Sequence, residues 1–379
     1  MIKHVSVLYV GHLELENVGR EGTPPDERRY DNERFQEAYW MARDAAQLMD
    51  ELGYWCLWTA EHHFQREGYE VFPNLVLLNT WLATQTQKLR HGCAFNTLTT
   101  WHPIRLAEDY AVADIVTEGR VVLGVGRGYQ SREVETLGAP LLDNDANREL
   151  FEESVELLVK ALHDDELRHD GKHFQVPARV PYRGYELESV TLVPRPLRRP
   201  VELWQAISSG RTISFIASRG IKGITTLTGE LMVEQIAHQY RDAAAEAGRD
   251  LKLGEDISIG FGLCIDETRE KAIERMRPYH DERYKWFAPF GIVRYTDEQG
   301  NPIGTPGGDG LPNIEDGVDQ GAWLCGPPES IVATLREWEE RYPGLEHVMI
   351  HWAEGMPWSM FEEQLRVFAA EVMPHFGGN

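Results

Sequence analysis

The feature that most restricts this chain is its alternation. Short apolar runs of β character and longer stretches with a 3.6-residue apolar period follow one another from end to end. Such a pattern calls for parallel strands joined by crossover helices, an α/β architecture. The runs at 5–10, 54–59, 89–98, 120–125, 201–207, 223–227, 257–265 and 347–351 read as eight strands. Between the first of them lie helical faces. One carries Phe35, Ala38, Ala42, Ala45, Met49 and Leu52 and is closed by Gly53; the next spans 74–87. A third opens at Pro103 and ends at Gly119, and a fourth carries Phe151, Val155, Leu158 and Leu162. Later helices are expected at 231–247 and 329–341, and a last one carries Phe361, Leu365, Phe368 and Val372 before Pro374. Eight β/α units predict a (β/α)8 TIM barrel, with residues 1–379 as a single domain. Two stretches exceed a minimal barrel: about 164–200, rich in His, Arg and Pro, and about 289–321, rich in Gly. Loops of that length in a compact domain are usually functional or mobile.

Charge narrows the partners. Lys and Arg number 38 against 61 Asp and Glu, a formal net charge of −23. Such a surface repels phosphate backbones and anionic lipid, so neither nucleic acid nor membrane is expected as a partner. A local cationic pocket for one small anion remains compatible with it. Cys56, Cys93, Cys264 and Cys325 are far apart and have no zinc-type spacing. The first residues run straight into a strand pattern, and no apolar run approaches the roughly 18 residues of a membrane span. A cytoplasmic protein with reduced thiols is the expectation.

In a barrel of this kind chemistry sits at the C-terminal ends of the strands. There the sequence places Glu61, His62 and His63 after strand 2, and Phe95, Asn96 and Trp101 after strand 3. Arg127 and Tyr129 follow strand 4, Ser208, Ser209, Gly210 and Thr212 follow strand 5, and His351, Trp352 and Glu354 follow strand 8. The 208–212 stretch reads either as an anion site, with backbone N–H groups at a helix start and Arg127 as countercharge, or as a plain N-cap made by Ser209 or Thr212. Gly124, Gly126 and Gly128 lack the GxGxxG spacing of a dinucleotide fold; a backbone held close to a flat ligand explains them equally well. A rim histidine is a candidate acid or base, and a metal site is not expected at Glu61–His63. His163, His169 and His173 read as part of a solvated loop.

At this point the residues resemble a known family. Ala60-Glu61-His62-His63-Phe64 is similar to the "EHHF" segment of bacterial luciferase and its relatives. The stretch from His102 to Asp109 resembles the family's "HP-aliphatic-R-x-A-E-D" helix start, and that from Gly119 to Gly128 its fourth strand. Gly326-Pro327-Pro328-Glu329 resembles its "GTPEE" segment, and Val372-Met373-Pro374 its closing helix. The resemblance implies a luciferase-like monooxygenase that oxidises a small organic substrate with O2 and reduced FMN (FMNH2), through a C4a-(hydro)peroxyflavin, the reduced flavin coming from a separate reductase. It implies His62 as the catalytic acid or base, and Arg127, Ser209 and Thr212 as holders of the flavin phosphate. The Ala94–Phe95 peptide is often cis in the family, and the loop at about 289–321 is typically mobile and closes over the site. Candidate cofactor contacts are therefore Glu61, Ala94, Phe95, Asn96, Arg127, Tyr129, Ser208, Ser209, Gly210 and Thr212. Candidate pocket residues are His63, Trp101, His351 and Trp352, with Arg283, Tyr284 and Trp286 also placed near the pocket. A homodimer is expected from the family. Ser208 and Phe95 depart from luciferase, which has Glu and Ala there, so its long-aldehyde substrate and light emission do not carry over. Two other readings compete: an F420-dependent hydride-transfer enzyme of the same fold, and a flavin-binding protein without turnover.

Overall fold

Side chains that alternate along each strand divide the core into two populations. Leu8, Val10, Trp58, Ala60, Ala94, Val122, Trp204, Ile224 and Met349 form one buried cluster inside a ring of strands. Their neighbours, such as Val7, Tyr9, Leu57 and Ile350, pack outward in a second cluster shared with the helices. The computed structural model describes residues 1–207, 209–296, 303 and 311–377. The ring consists of β1 (His4–Tyr9), β2 (Cys56–Thr59), β3 (Arg90–Cys93), β4 (Val121–Gly126), β5 (Leu203–Ala206), β6 (Lys222–Thr226), β7 (Ile257–Ile265) and β8 (His347–His351). Each strand pairs in parallel with the next, and β8 pairs back onto β1, so the (β/α)8 barrel closes.

Around it lie α1 (Asn32–Leu52), α2 (Leu75–Ala83), α3 (Pro103–Val116), α4 (Asn144–His163), α5 (Gly210–Ala217), α6 (Glu230–Glu246), α7 (Arg269–Phe287), α8 (Pro328–Arg341) and α9 (Trp358–Val367). Local chemistry sets their ends. Gly53, at φ +81°, closes α1, Asn74 caps α2, and the His102 side chain caps α3 ahead of Pro103. The four cysteines are buried and free. Among the described residues no helix is long and apolar enough to cross a membrane.

Three features differ from the sequence expectation. The third strand does not run unbroken to 98: it stops at Cys93, the Ala94–Phe95 peptide is cis, and Asn96–Thr97 then pair with β4. An extra strand, Trp323–Gly326, pairs with the outer half of the long β7. The α7 helix, for whose burial pattern the sequence gives no expectation, buries the charged Asp281, Glu282 and Arg283 together with Ala272, Ile273, Met276, Tyr284, Trp286 and Phe287. Residues 164–200 are partly ordered as two small hairpins, and His169 is buried against Glu153 (3.1 Å) rather than solvated. Most of the Gly-rich 289–321 stretch lies outside the described residues; the capped helix Ile314–Asp319 lies within them.

The N-terminal end of the barrel is plugged. Trp58 and Trp204 meet edge to face at 5.5 Å, and Trp55 and His347 pack beside them. A Cβ on Gly92 would fall 2.1 Å from the Trp58 ring, so only glycine leaves room for the plug. The remaining interior space is at the opposite end.

Candidate active site

A cavity of about 310 Å³ opens at the C-terminal ends of the strands, within the usual range for a small-molecule site. Leu8, Val10, Ala94 and Phe95 form apolar walls, and Phe287 and Ile292 cover it from α7 and the segment that follows. Of the residues singled out in the sequence, Glu61, His62, Ala94, Phe95, Arg127, Tyr129, Thr212, Arg283 and His351 reach this cavity. Ser209 and Gly210 line an adjoining one of about 410 Å³, which shares Ile292 and Arg294 with the first. Ser208 lies outside the described residues.

Four candidates sit behind the wall instead. Asn96 is fully buried and donates to the Gly124 carbonyl (2.9 Å). His63 turns its ring to Glu61 (3.1 Å), and Trp101 Nε1 donates to the same carboxylate (3.0 Å). Trp352 stacks on Tyr9 and Phe361 and donates to the Met356 carbonyl, in the helix layer. For Trp352 the reason is strand alternation: His351, the last residue of β8, points inward, so 352 points away.

His62 is held on both sides. Its Nε2 lies 2.9 Å from Glu70 Oε1 and its Nδ1 3.1 Å from Glu133 Oε2, with all three side chains at least nine-tenths buried. A neutral imidazole donates from one nitrogen only, so two carboxylate partners select the imidazolium. Burial pushes the His62 pKa down, but the charges of Glu70 and then Glu133 outweigh it and carry the value well above 6.5. Burial likewise raises the Glu133 pKa, but His62 more than compensates and holds it low. The Tyr129 hydroxyl donates to Glu70 (2.9 Å), and its pKa is raised well above 10 by burial and then by that carboxylate. Gln130, Gln65 and Trp286 Nε1 complete the network.

No sequence pattern marks Glu70 or Glu133 as part of the site. Glu70 sits in the loop before α2, and Glu133 in the one-turn helix Ser131–Val134. Neither position shows a periodic or spacing signal; both lie within a few residues of recognised segments.

A cation lines the cavity at the end of β4. Arg127 Nη1 bonds the side-chain carbonyls of Asn144 (3.1 Å) and Asn147 (3.2 Å), and among the described residues it has no carboxylate partner. Both readings of the 208–212 stretch meet here. Ser209 Oγ accepts the Thr212 N–H (3.3 Å) as the N-cap of α5, and the start of that helix faces the Arg127 side of the cavity through Thr212. The glycines have their own explanation. A Cβ on Gly124 would come 2.1 Å from the Cys93 carbonyl, one on Gly126 3.2 Å from Phe95, and Gly128 has φ +75°. They let β4 lie against the Ala94–Phe95 turn.

Near β8, Arg283 pairs with Glu354 and with His351 Nε2 (3.0 Å). Burial raises the Glu354 carboxyl, but Arg283 and then His351 bring it down to about 2. Arg283 Nε, His351 Nδ1 and Gln205 Oε1 are buried without a hydrogen-bond partner among the described residues. A flat apolar wall, a buried acid and a cation free of carboxylates suit a planar aromatic cofactor with an anionic tail.

A closed parallel barrel with a cavity at its strand C-termini defines the class as a (β/α)8 barrel. Within that class the family model described as luciferase-like monooxygenase matches residues 21–343, and the chain belongs to this family. It is 24% identical over 363 residues to the oxygenase component of a flavin-dependent trigonelline monooxygenase from Acinetobacter baylyi, covering 92% of this chain and 93% of that protein. It is also 24% identical over 339 residues to an F420-dependent glucose-6-phosphate dehydrogenase from Amycolatopsis mediterranei, covering 86% and 91%. Among solved structures it resembles the oxygenating constituent of 3,6-diketocamphane monooxygenase from Pseudomonas putida, a type II Baeyer–Villiger monooxygenase in complex with FMN. The TM-score is 0.75, with 18% identity over 99% of both chains.

Proposed function

We propose that this protein is the oxygenase of a two-component system, which takes reduced FMN from a separate reductase and uses O2 to oxidise a small organic substrate. The observation that carries the reading is His62, buried between two carboxylates on the wall of a cavity that Arg127 also lines. The trigonelline monooxygenase component and the FMN-bound Baeyer–Villiger relative support the cofactor and the class of reaction. Reduced FMN, when bound, supplies the two electrons by which O2 gives one oxygen atom to the substrate and the other to water.

The chain's residues supply the rest. Arg127, Thr212 and the start of α5, capped by Ser209, would hold the phosphate. Ala94, Phe95, Leu8 and Val10 present an apolar surface for the ring system and exclude water from it. His62 acts as an acid, its proton held at the ring by Glu70 and Glu133 until the reacting oxygen competes for it. Tyr129 fixes Glu70 in place. The whole chain serves as one catalytic unit, working in the cytoplasm as a homodimer; exposed Leu77 on α2 and Val112 and Val116 on α3 support an association face.

Anaerobic titration with reduced FMN, followed by rapid mixing with oxygenated buffer, tests the reading for wild type and His62→Gln. Tight binding and an oxygen-dependent flavin transient that the variant alters are expected. Absence of reduced-FMN binding sinks the reading. The similarity to an F420-dependent dehydrogenase favours one alternative, hydride transfer with F420, and F420 binding in place of FMN would establish it.

A further inference from the structure

Besides Arg127, which the cofactor reading uses, the cavity holds one cation that no carboxylate among the described residues balances. Arg283 and Arg294 both face it, and Glu354 balances only Arg283. Arg294 Nη1 donates to Thr225 Oγ1 (3.2 Å), and among the described residues it meets no carboxylate. Burial lowers its pKa, and repulsion from Arg283 adds to that. A guanidinium has five N–H donors in a fork that matches a carboxylate, and among the described residues Thr225 takes one of them, which leaves the rest to bind an anion. The carboxylates on the cavity wall are already engaged: Glu61 with Trp101 and His63, Glu70 with His62 and Tyr129. Arg127 lies at the end of β4, two strands along the ring from the β6 residue Thr225 that holds Arg294. Beside Arg294 and Arg283 the wall is apolar, with Ile292 and with Phe287, over which the Arg283 guanidinium lies at 4.3 Å.

We propose that the substrate is a small apolar or aromatic acid, whose carboxylate binds Arg294 while its body packs against Phe287 and Ile292. The proposal rests on the flavin monooxygenase reading and names the substrate class for the same site. A chain of net charge −23 repels anions at a distance, so an acid would be admitted by this local cation alone.

The test is calorimetric binding to the FMN-saturated full chain of benzoate, nicotinate and phenylacetate, each against its neutral amide. The wild type should bind the acids at least about 10-fold more tightly than the amides, the size of one charge-assisted contact. Arg294→Gln should abolish that preference without weakening amide or FMN binding, and Arg294→Lys should keep part of it. Arg127→Gln should weaken FMN relative to riboflavin and leave the acid preference intact. Equal binding of acids and amides, or no binding of either, overturns the proposal. So does an Arg294→Gln variant that loses FMN affinity yet keeps the acid preference, since Arg294 would then serve the cofactor phosphate. Failure of the wild type to bind FMN at all is a separate result, and defeats the monooxygenase reading instead.

Discussion

An imidazole with a carboxylate at each nitrogen has a different chemical role from one with a single partner. The second carboxylate converts His62 from a poised acid–base group into a held cation. Glu133→Gln should therefore bring the His62 pKa back toward the ordinary value of about 6.5. In 15N-histidine spectra, with His62→Gln used for assignment, the wild-type ring should stay doubly protonated through neutral pH and the Glu133→Gln ring should titrate at lower pH. Identical titrations would remove Glu133 from this role. The pKa of His62 is raised in the folded chain, so its contribution to stability is complete below about 6.5 and is lost as pH rises toward the folded value. Glu354 has the opposite sense. Its contribution is present above the ordinary glutamate value and is lost as pH falls toward about 2. Glu354→Gln leaves Arg283 buried without its counter-ion and should cost about 3–5 kcal/mol in denaturant unfolding at pH 7. A loss below about 1 kcal/mol would show that the guanidinium reaches water or another partner.

At the scale of elements, the site depends on how three segments end. The β3 strand stops at Cys93 so that Ala94 and Phe95 can form a wall, and the glycines of β4 make the space for that turn. The α7 helix is tied to the N-terminal segment by the Arg28–Glu282 ion pair (2.9 Å) and stacks Trp286 on Tyr69 (4.5 Å). That packing fixes Glu70 on one side and Arg283 on the other. The start of α5 serves two purposes, which one substitution can separate. Ser209→Ala removes the cap and should cost about 1 kcal/mol of stability without any ligand. It should also lower FMN affinity while leaving riboflavin affinity unchanged, as measured by fluorescence quenching. If stability falls but the FMN-to-riboflavin ratio stays constant, Ser209 is a cap and nothing more.

For the whole molecule, buried neutral histidines set the acid limit. Burial holds His12 at about 4 and His91 and His347 at about 3, each with a ring nitrogen that meets no partner among the described residues. In the unfolded chain they take up protons near pH 6.5, so their contribution is complete above that value and falls as pH drops toward 3–4. Each should remove about 1.4 kcal/mol per pH unit, against the smaller opposite trend of His62. Guanidinium unfolding at pH 7 and pH 5 should therefore show a loss of several kcal/mol at the lower pH. Equal stability at both would mean that these rings reach solvent.

The strands β7 and β8 are read from sequence to the residue, and the barrel with them, because runs such as Ile257–Ile265 must bury both faces whatever surrounds them. Strand period also puts His62, Arg127 and His351 at one rim, since the C-terminal end of each run follows from where the run stops. The sequence does not say which side chains of the rim face inward: it offers His63, Trp101 and Trp352 as pocket residues, and the structure turns all three away. Nor could it supply Glu70 and Arg294, which lie in irregular segments, or Glu133, in a helix of a single turn too short to show a period. Regular burial is written locally in the spacing of apolar residues. The charges that meet His62, and the cation that meets no carboxylate among the described residues, depend on distances between segments far apart in the chain, and only closure of the barrel fixes those.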